Sequence, residues 1–149
     1  MKYLVLLDGS KWSQKAALHA VSIAKRKGAE VVFFSVLDIR EARSLAFNFC
    51  AQSGICDRVK DYETQIWRDM KKGVQDDLAG ILHHCNREKL ACSSKIAEGI
   101  TRDEVIHEAN AGGYSLIIMG AYGKSGKTRL SALLEEVAGE VETPILIVR

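Results

Sequence analysis

The stretch YLVLLDGS at residues 3–10 decides the fold class. Residues 3–7 are apolar and have high β propensity, which is typical of a strand. Asp8-Gly9-Ser10 then combines a turn pattern with a helix N-cap pattern. Apolar residues recur at helical spacing over residues 13–27, and Gly28 is a helix-terminating residue. The sequence therefore predicts a strand that feeds directly into an amphipathic helix.

The same alternation continues along the chain. Residues 31–37 form a continuous apolar run, as expected of a strand covered on both faces in a parallel sheet. Further strands are predicted at residues 91–98, 115–120 and 145–148, and further helices at residues 57–87, from 101 to a stop at Gly112, and at 130–141. This order predicts an α/β fold, a doubly wound parallel sheet with right-handed crossovers and helices on both faces.

Three local features add detail to these predicted helices and strands. Residues 38–57 have weak periodicity and are predicted to form a loop or a short helical excursion. Gly73 lies inside the long helix predicted at residues 57–87 and is expected to loosen it. Thr101 and Glu104 have the spacing of a capping box, which predicts that Thr101 caps the helix that follows.

Composition excludes several classes of protein. The 149 residues fit one domain, 1–149, with 47% hydrophobic and 27% charged residues, as in ordinary globular proteins. The net charge is only +2 and the charges are interspersed, so neither nucleic acid nor a membrane is expected as a partner. The apolar run near the start is too short for a signal peptide, which predicts a cytoplasmic protein.

The four cysteines do not form a metal-binding pattern. Cys50, Cys56, Cys85 and Cys92 contain no C-x-x-C pair and no zinc-ligand spacing. We therefore expect no metal, and four ordinary thiols in a reducing cytoplasm.

Two segments resemble the universal stress protein family. Residues 4–10, LVLLDGS, match its first strand and turn, and residues 116–126, LIIMGAYGKSG, match its most recognisable stretch. Pro144 and residues 145–148 continue the resemblance, which covers the chain except residues 38–90, where only the layout agrees. The resemblance implies a Rossmann-like five-stranded sheet in the order 3-2-1-4-5.

That strand order predicts the place of a ligand site. Strands one and four are neighbours where the winding reverses, and open α/β sheets bind ligands at the carboxyl ends of the strands at such a point. The resemblance implies that an acid matching Asp8 contacts a nucleoside, although Asp8 serving only as a helix N-cap is an equal alternative. The candidate nucleotide-binding residues are Asp8, Gly9, Ser10, Val36, Gly120, Gly123, Lys124, Ser125, Gly126, Lys127 and Thr128.

The phosphate-binding pattern of ATP-binding family members, G-x2-G-x9-G-[S/T], is only half present. Gly120 and Gly123 match it, but Leu133-Leu134 occupies the second half, and a two-residue insertion would bring Glu135-Glu136 there instead. Residues 123–128 still offer backbone N–H groups, lysines and hydroxyls near a helix N-terminus. An adenine nucleotide, ATP or AMP, is the candidate cofactor, bound weakly, and an empty crevice is the alternative.

Two other functions compete with a regulatory binding protein. Residues 121–128 satisfy a permissive Walker A pattern, Ala121-x4-Gly126-Lys127-Thr128, which would suit a nucleotide-hydrolysing or phosphotransfer enzyme. No later strand ends in an acid that would hold Mg²⁺, so we predict that the protein is not an enzyme. A ligand-free dimerisation module is the other alternative, favoured by Leu133 and Leu134.

The last predicted strand indicates self-association. Its residues Ile145, Leu146, Ile147 and Val148 would otherwise form an apolar sheet edge with unpaired backbone groups. We predict a homodimer through this strand, and the resemblance implies antiparallel pairing across a two-fold axis.

Overall fold

The computed structural model describes residues 1–124 and 132–149. The elements in chain order are β1 (Lys2–Leu6), α1 (Lys11–Lys27), β2 (Glu30–Leu37), α2 (Ile39–Ser53), α3 (Val59–Arg87), β3 (Cys92–Glu98), α4 (Thr101–Ala111), β4 (Leu116–Gly120), α5 (Ala132–Ala138) and β5 (Ile145–Val148).

The five strands form one parallel sheet in the order β3-β2-β1-β4-β5, which confirms the predicted fold class and strand order. β1 lies at the centre, where Val5 pairs with Phe33 of β2 on one side and Ile118 of β4 on the other. Because β1 is buried on both faces, its run of apolar residues has no polar alternation. The winding of the chain reverses between β1 and β4.

Helices cover both faces of the sheet. On one face, α1 and α3 pack against β1 and β2, with Ala16, Ala20 and Leu78 in the core. On the other face, α4 and α5 contribute Val105 and Val137. The small side chains of α1 let that helix approach the sheet closely, so that it packs against β4 and β5 as well as β1 and β2. Two separate cores therefore hold the sheet between them.

α2 is longer and more regular than the sequence predicts. Residues Ile39–Ser53 form a helix of 15 residues, where we expected a loop or a short helical excursion. Its buried stripe consists of the small residues Ala42, Ala46 and Cys50, while the large Phe47 is exposed. The residues that α2 buries are therefore small, while its large apolar residues Leu45, Phe47 and Phe49 are exposed.

α3 runs from Val59 to Arg87, which confirms the long helix predicted at residues 57–87, and it continues through Gly73. α5 differs from prediction at its end. α5 ends at Ala138, before Gly139, and not at Val141. A glycine at this position disfavours helix continuation, which explains the earlier end.

Thr101 does not cap α4 as the capping-box pattern predicts. Ile100 is the N-cap residue and makes no side-chain cap hydrogen bond. The backbone N–H and the hydroxyl of Thr101 instead donate to Oδ2 of Asp38, at 3.1 and 3.3 Å. A carboxylate from the β2–α2 junction thus replaces a local cap, and no local spacing reveals a partner 63 residues away.

The expectation of four ordinary thiols is wrong for two of them, because Cys50 and Cys56 form a disulfide. Gly54 ends α2 with a φ of 73° and turns the chain back toward the helix. The two Cα atoms consequently lie 4.8 Å apart, within the range that a disulfide spans. Cys85 and Cys92 are free, and burial raises the pKa of both thiols.

No helix in residues 1–124 or 132–149 combines the length and apolar character needed to cross a membrane.

Candidate functional site

A cleft of about 600 Å³ opens at the carboxyl ends of the strands, where β1 and β4 part. Its floor is apolar and includes Leu6, Phe34 and Met119. α2 and α3 form one wall, and the β1–α1 turn and the end of β4 form another. The polar side chains that line it include Asp8, Glu41, Asp77, Thr101 and Lys124.

The β1–α1 turn presents Asp8 to this cleft. Oδ1 of Asp8 accepts a hydrogen bond from the backbone N–H of Ser10 at 2.8 Å, which fixes the turn. Ser10, and not Asp8, is the N-cap of α1, because its hydroxyl accepts from the backbone N–H of Ser13 at 3.2 Å. The alternative that Asp8 serves only as a helix cap is therefore wrong. Its exposed carboxylate lies in the cleft wall.

Gly9 allows a lysine side chain to cross the turn. Its φ of 83° is one that residues with a side chain rarely adopt. A Cβ at this position would lie 3.3 Å from Cε of Lys124. Nζ of Lys124 continues past the turn and donates to Oε1 of Glu41 on α2 at 3.0 Å. The lysine therefore spans the cleft from the end of β4 to α2.

The two glycines of the partial phosphate motif have different surroundings. A Cβ on Gly120 would lie 2.8 Å from the carbonyl carbon of Trp12, so this glycine lets β4 pack against the first turn of α1. No atom lies within 4 Å of the position of a Cβ on Gly123. Between them, the ring of Tyr122 contacts that of Trp12 edge-on, with centroids 5.0 Å apart. Gly120 thus has a packing role that the motif comparison does not reveal.

The structure brings five of the predicted site residues to the cleft: Asp8, Gly9, Val36, Gly120 and Lys124. Ser10 is buried as the N-cap of α1, and Gly123 is not among the lining residues. Ser125, Gly126, Lys127 and Thr128 lie outside the described residues, and with them most of the Walker-A-like segment.

The residues that the two alignments put at the second half of the phosphate motif lie in different parts of the structure. Leu133, which the gap-free alignment puts there, lines the cleft. Leu134 is buried in the core, and Glu136, from the alignment with an insertion, lies 4.0 Å from Arg102 of α4. The cleft wall therefore has a leucine where the family pattern has a glycine.

Sequence reasoning missed Glu41 and Asp77. Both line the cleft from helices α2 and α3, which follow β2. The signal for Glu41 was Asp38 three residues earlier, a typical N-cap before an acidic first turn. This signal does not suffice alone, because the weak periodicity of residues 38–57 does not predict a full helix there. Among the described residues, no group of three or more His, Cys, Asp or Glu is arranged to hold a metal ion.

These features define a class: a doubly wound α/β protein with a ligand cleft where the winding reverses. The chain is 28% identical to universal stress protein MJ0531 of Methanocaldococcus jannaschii, over 99% of this chain and 81% of the relative. It is 29% identical to universal stress protein YxiE of Bacillus subtilis, over 99% of this chain and 98% of the relative. No protein-family model matches the chain.

Solved structures agree on the fold. The structure of MJ0577 superposes with a TM-score of 0.79 at 23% identity, covering 99% of this chain and 94% of that one. UspA from Lactobacillus plantarum gives a TM-score of 0.72 at 19% identity, covering 100% and 97%. With the curated relatives, these matches show that the chain is similar to UspA-like universal stress proteins over nearly its whole length.

Proposed function

We propose that this protein is a cytoplasmic regulatory binding protein whose cleft takes up an adenine nucleotide without turning it over, with residues 1–149 acting as one domain. The observation that carries the proposal is the juxtaposition of Asp8, Gly9 and Val36 in one cleft at the carboxyl ends of β1 and β2. Ligands of open α/β sheets occupy this place.

The class of ligand is proposed from the ligands of solved proteins with the same fold. A universal stress protein was solved in complex with cAMP, with a TM-score of 0.67 to this chain. An Arabidopsis thaliana family member was solved with AMP, and one from Archaeoglobus fulgidus with dAMP, at TM-scores of 0.63 and 0.64. These three ligands share an adenine base and carry a single phosphate group. We infer that the cleft of this chain recognises the same chemical class.

The lining residues suit the parts of such a ligand. Val36 and the apolar floor provide a surface for the flat base, and the Asp8 carboxylate accepts hydrogen bonds from ribose hydroxyls. The phosphate is proposed to lie near Lys124, whose ammonium group is in the cleft, and the residues that follow Lys124 in sequence include the hydroxyl residues Ser125 and Thr128. Each of these assignments is part of the proposal.

Binding is expected to be weak, because the second half of the phosphate motif is missing. Leu133 and Leu134 occupy the positions where family members have a glycine and a hydroxyl residue, so the hydroxyl group is absent and a leucine side chain replaces the glycine. Each absent charge-assisted hydrogen bond removes about 1.5 to 3 kcal/mol, or roughly one to two decades of affinity. We therefore expect dissociation constants in the micromolar range or weaker.

We also propose that the protein acts as a homodimer through β5. This strand lies at one edge of the sheet, and Ile147 leaves 40% of its surface exposed. Antiparallel pairing of two such edges would satisfy their backbone groups and cover the apolar residues.

Calorimetric titration tests the proposed nucleotide site. AMP and ATP are titrated into the native protein, the Asp8→Ala variant and, as a matched control, Asp69→Ala on the exposed face of α3. We expect Asp8→Ala to lower affinity about tenfold or more, since it removes a charged acceptor, and Asp69→Ala to bind normally. Leu133→Gly is expected to raise affinity for the phosphate-bearing ligands, whereas Leu134 is buried and unsuitable for substitution.

Two results would contradict the proposal. The first is tight binding that Asp8→Ala leaves unchanged, which would place the nucleotide elsewhere. The second is ATP turnover at an enzymatic rate, which would favour a phosphotransfer enzyme built on residues 121–128.

A further inference from the structure

The ion pair between Lys124 and Glu41 connects two walls of the cleft. Nζ of Lys124 and Oε1 of Glu41 are 3.0 Å apart, and both residues line the cleft. Their side chains retain 54% and 41% of their surface exposed, so a ligand can reach them from solvent. The described cation nearest to the proposed phosphate position is therefore already bound to a carboxylate.

We propose that Glu41 determines the ligand selectivity of the cleft, by disfavouring ligands with several phosphates relative to nucleosides and monophosphates. The inference rests on the proposed nucleotide site and concerns which members of that ligand class it accepts.

The fold holds Glu41 in place. Its backbone N–H donates to the carbonyl of Asp38 at 3.0 Å, in the first turn of α2. An acidic side chain there interacts favourably with the helix dipole. α2 in turn packs along α3 and buries Ala42, Ala46 and Cys50. The backbone of Glu41 is consequently held at the cleft wall.

The path of the Lys124 side chain also depends on the β1–α1 turn. The aliphatic part of the Lys124 side chain passes over Gly9, which has no side chain to obstruct it. A phosphate that binds the ammonium group must either share it with Glu41 or displace Glu41 from it, and in both cases it lies close to the carboxylate. Like charges at this distance repel each other, and the repulsion grows with the number of phosphates on the ligand.

Other charges in the cleft act in the same direction. Asp8 and Asp77 also line it, whereas Lys124 is the sole Lys or Arg among the lining residues that the structure describes. The nearby Arg40 is held by Asp38 through hydrogen bonds of 2.6 to 3.2 Å. The described part of the cleft thus favours a ligand with little negative charge.

Calorimetry on Glu41→Gln tests this selectivity. Adenosine, AMP and metal-free ATP are titrated into the native protein and the variant. We expect the affinity for ATP to rise about threefold to tenfold, which is the range for releasing an exposed ion pair and removing one repulsive charge. The affinity for adenosine is expected to stay unchanged. Glu63→Gln is the matched control, because Glu63 pairs with Arg43 on α2 but lies outside the cleft.

A second variant isolates the role of the lysine. Lys124→Gln is expected to weaken ATP binding and leave adenosine binding in place. Glu41→Gln is then introduced into the Lys124→Gln variant. In this background, Glu41→Gln is expected to raise the affinity for ATP less than it does in the native protein, since no ammonium group is released. Equal gains in both backgrounds would contradict competition for Lys124.

The outcomes separate this inference from the proposed function. If adenosine and AMP bind but the ratio of ATP to adenosine affinity is the same in Glu41→Gln and the native protein, the selectivity role is overturned and the site stands. If no adenine ligand binds any variant, both the site and the selectivity role are overturned.

Discussion

Asp38 links three elements through one carboxylate. Its side chain is only 8% exposed and follows β2 directly. It caps α2 by accepting from the backbone N–H of Arg40 at 3.0 Å, pairs with the Arg40 guanidinium, and accepts from Thr101 at the start of α4. The guanidinium hydrogen bond holds the pKa of Asp38 well below its ordinary value of 3.8. The carboxylate therefore stabilises the cleft wall only while it is ionised.

This arrangement predicts a pH-dependent contribution to stability. Because the pKa in the folded protein is lowered, the contribution is complete above the unfolded pKa of about 4 and is lost as pH falls below it. We expect Asp38→Asn to lower the free energy of unfolding by about 2 kcal/mol at pH 7. Urea denaturation from pH 7 to pH 3 should show this difference narrowing below about pH 4. The control Asp69→Asn, on an exposed site, should change little, and a difference that is constant with pH would refute the assignment.

Alanine substitutions at Gly120 and Gly123 test which of the two glycines is needed for close packing. We expect Gly120→Ala to destabilise the protein by about 1 to 3 kcal/mol, because its Cβ would overlap the backbone of Trp12 and Ser13. Gly123→Ala is expected to leave stability nearly unchanged, since its Cβ meets no atom within 4 Å. Thermal unfolding of both variants measures the difference. Equal stability of the two would show that Gly120 does not serve close packing.

The sequence predicted some cleft residues and not others, for a physical reason. Asp8 and Gly9 follow an apolar strand, and the rule for open α/β sheets alone places such residues at a binding edge. The N-cap pattern at Asp38 can place Glu41 in the first turn of a helix. Its contact with Lys124, 83 residues away in sequence, has no local signal and was not predictable.

At the scale of elements, the strands were predicted well because both faces of a parallel sheet are buried. Continuous apolar runs such as residues 31–37 have few other interpretations in a chain that alternates with helices. α2 was missed because its buried positions are alanine and cysteine, while Leu45, Phe47 and Phe49 are exposed. Hydrophobic periodicity detects a helix by its large buried side chains, so it does not detect a helix whose buried side chains are small.

The disulfide is expected to stabilise the end of α2. It closes a loop of about seven residues, for which loop entropy gives about 2 kcal/mol. Upon reduction, hydrogen–deuterium exchange of amides near residues 46–54 should accelerate, while β1 amides stay protected. Cys56→Ser is the control, because a reducing agent then has no bond to break and should change nothing. Identical exchange before and after reduction would contradict a stabilising role.

At the scale of the whole molecule, the dimer proposal depends on which sheet edge self-associates. β3 and β5 are the two edges, and each exposes an isoleucine, Ile96 at 43% and Ile147 at 40%. We expect Ile147→Lys to give monomers or aggregates in light scattering, because a buried lysine would disfavour pairing. Ile147→Pro, which removes a backbone N–H, should act likewise.

Ile96→Lys is the matched control, since it places the same charge on the opposite edge of the sheet. It should keep the mass of a dimer. A dimer that survives both Ile147 substitutions would exclude β5 as the interface, and a dimer lost only with Ile96→Lys would move it to β3.

Amide chemical shifts during a titration with AMP test the central claim most directly, because they report where the nucleotide lies and not only whether it binds. We expect the largest changes at Gly9, Ser10 and Val36, with smaller changes at Glu41 and Lys124 as the ion pair responds. Changes confined to another surface, such as the groove of α4 lined by Arg102 and Asn110, would contradict the central claim, as would unchanged shifts at millimolar AMP.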